Sequence, residues 1–304
     1  MNALFFERFG GPEVLRYGPL PDPRPAGDEV LVRTGAIGLN FADVYRRRGN
    51  YHLAGAPPYV AGYEAAGSIV DTGERVAFAD SSFANAELVA VPREKLIPLP
   101  ADISDETAAA LLLQGLTAHF LTHDSHAVRA GERVLVHAAA GGVGLLLVQI
   151  AKLLGAYVVG LASSEPKRAA VLEAGADRAL SYDEWQAERD FDVVYDAVGS
   201  TLAGSLAAAR TGGHVVFYGM AGGDPEPVDP RVLMDRSLTL TGGDLWNVLR
   251  TGADRVTRAD ALFEWVRGGR LRVRVAERFP LSRGAEAHRL LESRAAIGKI
   301  LLVP

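Results

Sequence analysis

The sequence predicts an α/β protein: a doubly wound parallel sheet preceded by a β-rich segment. Three observations carry that expectation. From Arg133 onward six apolar strand candidates alternate with helical runs, and a glycine-rich turn joins the first of those strands to a long helix. Before that, the chain shows short alternating runs broken by proline and glycine, the pattern of small antiparallel strands.

In chain order, Pro19, Pro21, Pro23 and Pro25 predict an extended connector, because each fixes φ and removes an N–H donor. Glu29 to Arg33 alternates and predicts a strand. Ala65 to Val70 and Arg75 to Ala79 predict two more around a turn at Asp71 to Gly73, and Ala86 to Val91 a further one, closed by Pro92. Ser104 to Leu113 opens on Ser-Asp-Glu and runs into alanines and leucines, a helix start. Arg133 to His137 predicts a buried strand and Val143 to Leu154 the helix after the glycine turn. Tyr157 to Leu161 predicts the second strand, and Pro166 to Ala174 a helix stopped by Gly175. Arg178 to Leu180, Phe191 to Tyr195, His214 to Tyr218 and Ser237 to Thr241 complete the six. The tail predicts helices near Ala259 to Arg267 and Ser282 to Arg294, then a closing strand Lys299 to Val303 that returns to the first domain.

Size and composition fit this division. The chain has 304 residues, long enough for two domains, with 48% apolar and 23% charged residues. A formal net charge of -5 offers no broad basic face for nucleic acid, and the arginines at 46–48 and 270–274 have acids nearby. The most apolar stretch, Gly144 to Ala162, contains Gln149 and Lys152 and is broken by Gly155 and Gly160, so no membrane span is expected. With no apolar leader at the N-terminus, a cytoplasmic location is expected. Cysteine is absent, which excludes disulfides, a thiol nucleophile and a thiolate zinc site.

The glycine turn reads Ala138-Ala-Ala-Gly-Gly-Val-Gly144, a G-x-G-x-x-G fingerprint with alanine in its first place. Gly141 would let backbone approach a pyrophosphate, Gly144 would let the helix pack on its strand, and the helix N-terminus would favour phosphate charge. Sites for NAD place an acid about 20 residues on, at the ribose 2′-hydroxyl. Here Ser163 and Ser164 stand there, followed by Lys167 and Arg168, a set suited to a 2′-phosphate, so NADPH is expected. The plain alternative is that Lys167 and Arg168 are ordinary exposed helix residues.

Several blocks in order resemble quinone oxidoreductases of the zeta-crystallin type, in the zinc-free branch of the medium-chain dehydrogenase/reductase family. They are Phe9-Gly-Gly-Pro-Glu-Val-Leu15, Ala36-Ile-Gly-Leu-Asn-Phe-Ala-Asp-Val-Tyr45, Gln114-Gly-Leu-Thr-Ala118, His137-Ala-Ala-Ala-Gly-Gly-Val-Gly144, Tyr195-Asp-Ala-Val-Gly199 and Glu292-Ser-Arg. The chain departs from the family pattern at Asp71 to Glu74, where the loop is short, and at Gly242 to Leu245. Zinc-dependent relatives place cysteine and histidine where this chain has Asn40 and Tyr63, followed by Glu64.

The resemblance implies a Rossmann-type NADPH domain over 119–254 and a β-rich GroES-like catalytic domain from 1–118 and 255–304. It implies a cleft in which Asn40, Asp43, Tyr45 and Tyr51 meet nicotinamide and acceptor, with Asn40, Tyr45 and Tyr51 as the catalytic set. The cofactor-binding set is then Asn40, Gly141, Gly142, Val143, Ser163, Ser164, Lys167, Tyr182, Val198 and Tyr218, with no metal. Tyr182 follows the third strand of the sheet and would stack on adenine, an ordinary surface tyrosine being the other reading. His137 is expected to be packed and hydrogen-bonded rather than an acid. The implied activity is hydride transfer from NADPH to a quinone, by a homodimer joined along Ser237 to Thr241. Reduction of an enone or alkenal double bond, or NADPH binding with little turnover, are the rival readings.

Overall fold

A computed structural model describes residues 1–304. The elements in chain order are β1 (Asn2–Phe6), β2 (Arg16–Pro19), β3 (Glu29–Leu39), α1 (Phe41–Arg48), β4 (Tyr59–Val60), β5 (Ala65–Ile69), β6 (Arg75–Phe78), β7 (Leu88–Pro92), β8 (Ile97–Pro98) and α2 (Asp105–Phe120). There follow β9 (Arg133–Val136), α3 (Gly142–Leu153), β10 (Tyr157–Leu161), α4 (Glu165–Glu173), β11 (Arg178–Leu180), β12 (Phe191–Asp196), α5 (Leu202–Ala208) and β13 (Ala209–Phe217). The chain ends with α6 (Pro230–Asp235), β14 (Thr239–Gly242), α7 (Leu245–Val248), α8 (Gly252–Arg267), β15 (Val275–Pro280), α9 (Gly284–Glu292) and β16 (Lys299–Val303). No helix is long and apolar enough to cross a membrane.

One compact unit comprises Met1–Leu113, Leu249–Glu264 and Val273–Pro304. Its seven-stranded sheet runs β15-β16-β3-β5-β6-β8, with β7 also paired to β3. The closing strand lies antiparallel to β3, with Ile300 opposite Leu39, so the tail is built into the first sheet. Phe6, Val32, Ile37, Phe78, Val89 and Leu302 are central to its core. The shortened loop makes a tight turn between β5 and β6. Gly73, at φ 74, donates its N–H to the Ile69 carbonyl at 2.8 Å.

Helix α1 did not show in the sequence pattern, and its burial explains why. Two of its inward residues are arginines, Arg46 and Arg47, so the inner face carries no apolar stripe. It starts at Asn40, whose N–H is accepted by the Asp43 carboxylate at 2.9 Å, and stops at Gly49 in the left-handed region.

The second unit comprises Gln114–Val248 and Trp265–Arg272. Its sheet order is β11-β10-β9-β12-β13-β14, and every pairing is parallel. Numbered from the first of these strands the order is 3-2-1-4-5-6, the doubly wound arrangement. The order reverses between β9 and β12, and in such sheets ligands collect outside the carboxyl ends of the strands at that point. The apolar runs of β9, β10 and β12 are buried on both faces, as a covered parallel sheet requires.

Candidate functional site

At the carboxyl end of β9 the chain turns through Ala138, at φ 48, and the loop is tied down on three sides. Ala139 N–H donates to Leu161 O at 2.9 Å, Gly141 N–H to Ala138 O at 2.9 Å, and Ala138 N–H to the Tyr182 hydroxyl at 3.0 Å. Helix α3 then follows Gly141, which caps it with no side chain and leaves its first-turn N–H groups for an anionic ligand. A Cβ on Gly144 would sit 2.4 Å from Ala138 O and 2.7 Å from Ala139 Cα, so the helix lies too close to the strand exit for any side chain. A Cβ on Gly142 would sit 1.9 Å from Gln114 Oε1. The loop fits a pyrophosphate: a glycine cradle backed by free helix-start donors, with Gly141, Gly142 and Val143 half-exposed.

Beyond β10, Ser163 is exposed and Ser164 precedes the first turn of α4. Lys167, in the first turn of α4, places its ammonium 3.3 Å from Ser163 Oγ, so the hydroxyl and the cation share one spot. Val198 and Tyr218 follow the neighbouring strands β12 and β13, and their loops are zipped together. Tyr218 N–H donates to Asp196 O at 2.9 Å, and Gly222 N–H to Val198 O at 2.8 Å. Tyr182 lies near the same strand ends, its ring 5.9 Å from that of His137.

Sequence reasoning missed what holds the Val198 loop. Asp196 Oδ1 accepts the N–H groups of Val198 and Gly199 at 2.8 and 3.1 Å, while Oδ2 accepts the hydroxyls of Thr201 and Ser205 at 2.8 and 2.6 Å. Burial opposes its ionisation, but the hydrogen bonds from these donors hold its carboxyl below the ordinary aspartate value. His137 Nε2 lies 3.1 Å from Ser205 Oγ, and burial drives the imidazole pKa down to about 4. A neutral, fully buried imidazole is a packing and hydrogen-bonding group. The only signal was Asp196 within the Tyr195 to Gly199 block.

In the other unit Asn40, Asp43, Tyr45 and Tyr51 are gathered around α1. The Tyr45 ring packs edge-on to Tyr51 at 6.2 Å and to Phe41 at 5.4 Å. Arg46 lies beneath them: its guanidinium sits 3.5 Å from the centre of the Tyr63 ring and 5.1 Å from that of Tyr51. Asp43 pairs with Arg46 at 3.3 Å; burial raises its pKa, against the pull of Arg46 and of the Asn40 N–H. Tyr45 and Tyr51 are half-buried, whereas Asn40 is 3% exposed. Both polar atoms of the Asn40 amide are engaged inside the unit. Oδ1 accepts from Lys299 Nζ at 2.8 Å, and Nδ2 donates to Glu64 Oε2 at 2.9 Å. Neither Arg46 nor Lys299 was picked out as a site residue in the sequence, where Arg46 stands in an arginine run and Lys299 only opens the closing strand.

The slots that carry metal ligands in zinc enzymes thus hold an amide bonded to an ammonium and a phenol ring stacked under a guanidinium. Neither slot offers a thiolate or an imidazole, the ligands that hold zinc best.

Family models match in both units: the alcohol dehydrogenase GroES-like domain over residues 26–81 and zinc-binding dehydrogenase over residues 142–258. The chain is 37% identical to a quinone oxidoreductase of Pseudomonas aeruginosa, covering 100% of this chain and 99% of that one. It is 34% identical to a 2-haloacrylate reductase of a Burkholderia species, over 99% and 98% of the two chains. Among solved structures, quinone oxidoreductase of Escherichia coli complexed with NADPH aligns over 100% of both chains, with a TM-score of 0.95 and 34% identity.

Proposed function

The chain belongs to the zinc-free quinone oxidoreductase branch of the medium-chain dehydrogenase/reductase family, and on that premise we propose that it is an NADPH:quinone oxidoreductase. NADPH, when bound, supplies the hydride that reduces the acceptor. Gly141, Gly142 and Val143 would hold its pyrophosphate, Ser163, Ser164 and Lys167 its 2′-phosphate, and Tyr182 its adenine. Val198 and Tyr218 would face its nicotinamide half. In this reading residues 119–254 hold the cofactor, while 1–118 and 255–304 hold the acceptor.

Tyr51 supplies a hydroxyl for the oxygen on which negative charge develops, and Tyr45 forms the aromatic wall beside it. Asn40, with its amide engaged by Lys299 and Glu64, fixes the start of the helix that carries Tyr45. The observation that carries the reading is what stands at positions 40 and 63, where zinc enzymes carry metal ligands. An amide and a phenol held by two cations leave polarisation of the acceptor to hydrogen bonds, which suffices for an easily reduced quinone but serves a simple alcohol poorly. Oxidation of NADPH across a panel of acceptors tests it.

A second reading has one observation in its favour. The similarity to 2-haloacrylate reductase extends over 99% of the chain, and reduction of a double bond conjugated to a carbonyl would use the same hydride and the same donor. As to assembly, β14 pairs only with β13 and so ends its sheet, and Met234 on the preceding helix is 71% exposed. We take that edge as the seam of a homodimer in the cytoplasm.

A further inference from the structure

Asn40 joins two buried ion pairs into one network. The first pair is Asp43 with Arg46, whose side chains are 0% and 3% exposed; the second is Glu64 with Lys299, at 2.5 Å and 0% and 1% exposed. Asn40 gives its backbone N–H to Asp43 and its amide N–H to Glu64, and takes a hydrogen bond from Lys299 on its amide oxygen. The other Glu64 oxygen accepts Leu113 N–H at 2.6 Å. Two acids and two cations balance. At its far end the network reaches the acceptor residues, because Arg46 packs under Tyr51 and donates from Nε to His52 O at 2.9 Å.

The backbone is shaped around this network. A Cβ on Gly38 would sit 2.2 Å from Glu64 Oε2 and 2.3 Å from Ala109 O, so glycine at that point in β3 makes room for the carboxylate. Stability alone does not account for such an arrangement. Apolar groups of similar volume commonly hold a core as well as a buried ion pair does, whereas linked buried hydrogen bonds and ion pairs restrict how the side chains they join can be placed.

We propose that Lys299, on the closing strand, is a positioning residue for the acceptor. Through Asn40 and Glu64 it fixes the start of α1, and through Asp43 and Arg46 it fixes the pose of Tyr51. The inference rests on the assignment of Tyr51 to the acceptor made above.

The test is steady-state kinetics and equilibrium binding with p-benzoquinone and NADPH on Lys299→Gln/Glu64→Gln, Lys299→Arg and Arg46→Gln. The paired variant stays uncharged, so no buried ion is left without its partner. It should raise the quinone KM by about tenfold, the scale of one ordinary hydrogen bond, and move the NADPH KM by less than about twofold. Lys299→Arg keeps the charge but not the size of a side chain that is 1% exposed, and should raise the quinone KM by less than the paired variant does. Arg46→Gln, which touches neither Lys299 nor Glu64, should raise the quinone KM in the same way and keeps the test readable if the paired variant does not fold. Equal losses for quinone and NADPH, or a wild-type quinone KM in Arg46→Gln or in the folded paired variant, would overturn the role of Lys299 and leave the proposed function standing. A wild-type chain that neither binds nor reduces any quinone would overturn both.

Discussion

Ala138 gives its N–H to the hydroxyl of Tyr182 at 3.0 Å, across 44 positions of sequence. The bond pins the first residue of the glycine loop, a non-glycine residue at φ 48, to the end of the third strand of the parallel sheet. A tyrosine expected to stack on adenine therefore also holds the phosphate cradle in shape. Tyr182→Phe keeps the ring and removes the acceptor. The NADPH KM should rise by about three- to tenfold, the worth of one buried hydrogen bond, with the quinone KM unchanged. An unchanged NADPH KM would leave the hydroxyl without a part in the cradle.

Lys167 and Ser163 meet at 3.3 Å, at the place proposed above for the 2′-phosphate. A charge-assisted contact contributes about 1.5–3 kcal/mol, or roughly 10- to 150-fold in affinity. Lys167→Ala should weaken NADPH binding within that range and leave NADH nearly unaffected. Calorimetric titration of both cofactors decides it, and equal losses would remove the assignment.

Two buried imidazoles make stability sensitive to acid. Burial, with Arg47 nearby, depresses His288 to about 3, and burial depresses His137 to about 4, against an ordinary value of 6.5. The unfolded chain binds these protons below 6.5 and the folded chain does not, so stability is lost as pH falls from 6.5 toward 4. Each group contributes a slope of about 1.4 kcal/mol per pH unit. Thermal melts between pH 7.5 and 5 should show the fall. His288→Leu, which removes an imidazole with no hydrogen-bond partner, should flatten it. A melting temperature constant across that window would contradict the account.

The strand β14 should not be left as a bare edge. Light scattering at micromolar concentration should give a dimer mass, and Leu240→Lys on β14 should shift it toward the monomer. A wild-type monomer would show that the edge is tolerated as it stands.

How much of this was legible in the sequence followed burial and sequence distance. The strands from Arg133 to Val136 and Lys299 to Val303 are apolar runs buried by their neighbours, so periodicity found them within a residue. Helix α1 was invisible because arginine side chains replace the usual apolar stripe on its inner face. The glycine loop was readable because its chemistry is local. The network around Asn40 was not, since Lys299 lies 259 positions away and pairing over that span leaves no local pattern. Likewise Asp196 stood in the sequence only as part of a family block, and nothing linked it to Ser205 until the fold set them 2.6 Å apart.

The most direct measurement of the central claim is the rate of NADPH oxidation by the purified chain with p-benzoquinone, an alkenal, a 2-haloacrylate and a simple ketone, for wild type and Tyr51→Phe, after exhaustive chelation. The account predicts that quinone turnover is highest and survives chelation, and that Tyr51→Phe lowers quinone kcat/KM by about tenfold, near one ordinary hydrogen bond rather than the hundredfold or more of a preorganised oxyanion donor. Turnover confined to the alkenal or the haloacrylate would replace the quinone reading with double-bond reduction, and no NADPH oxidation with any acceptor would contradict the account outright.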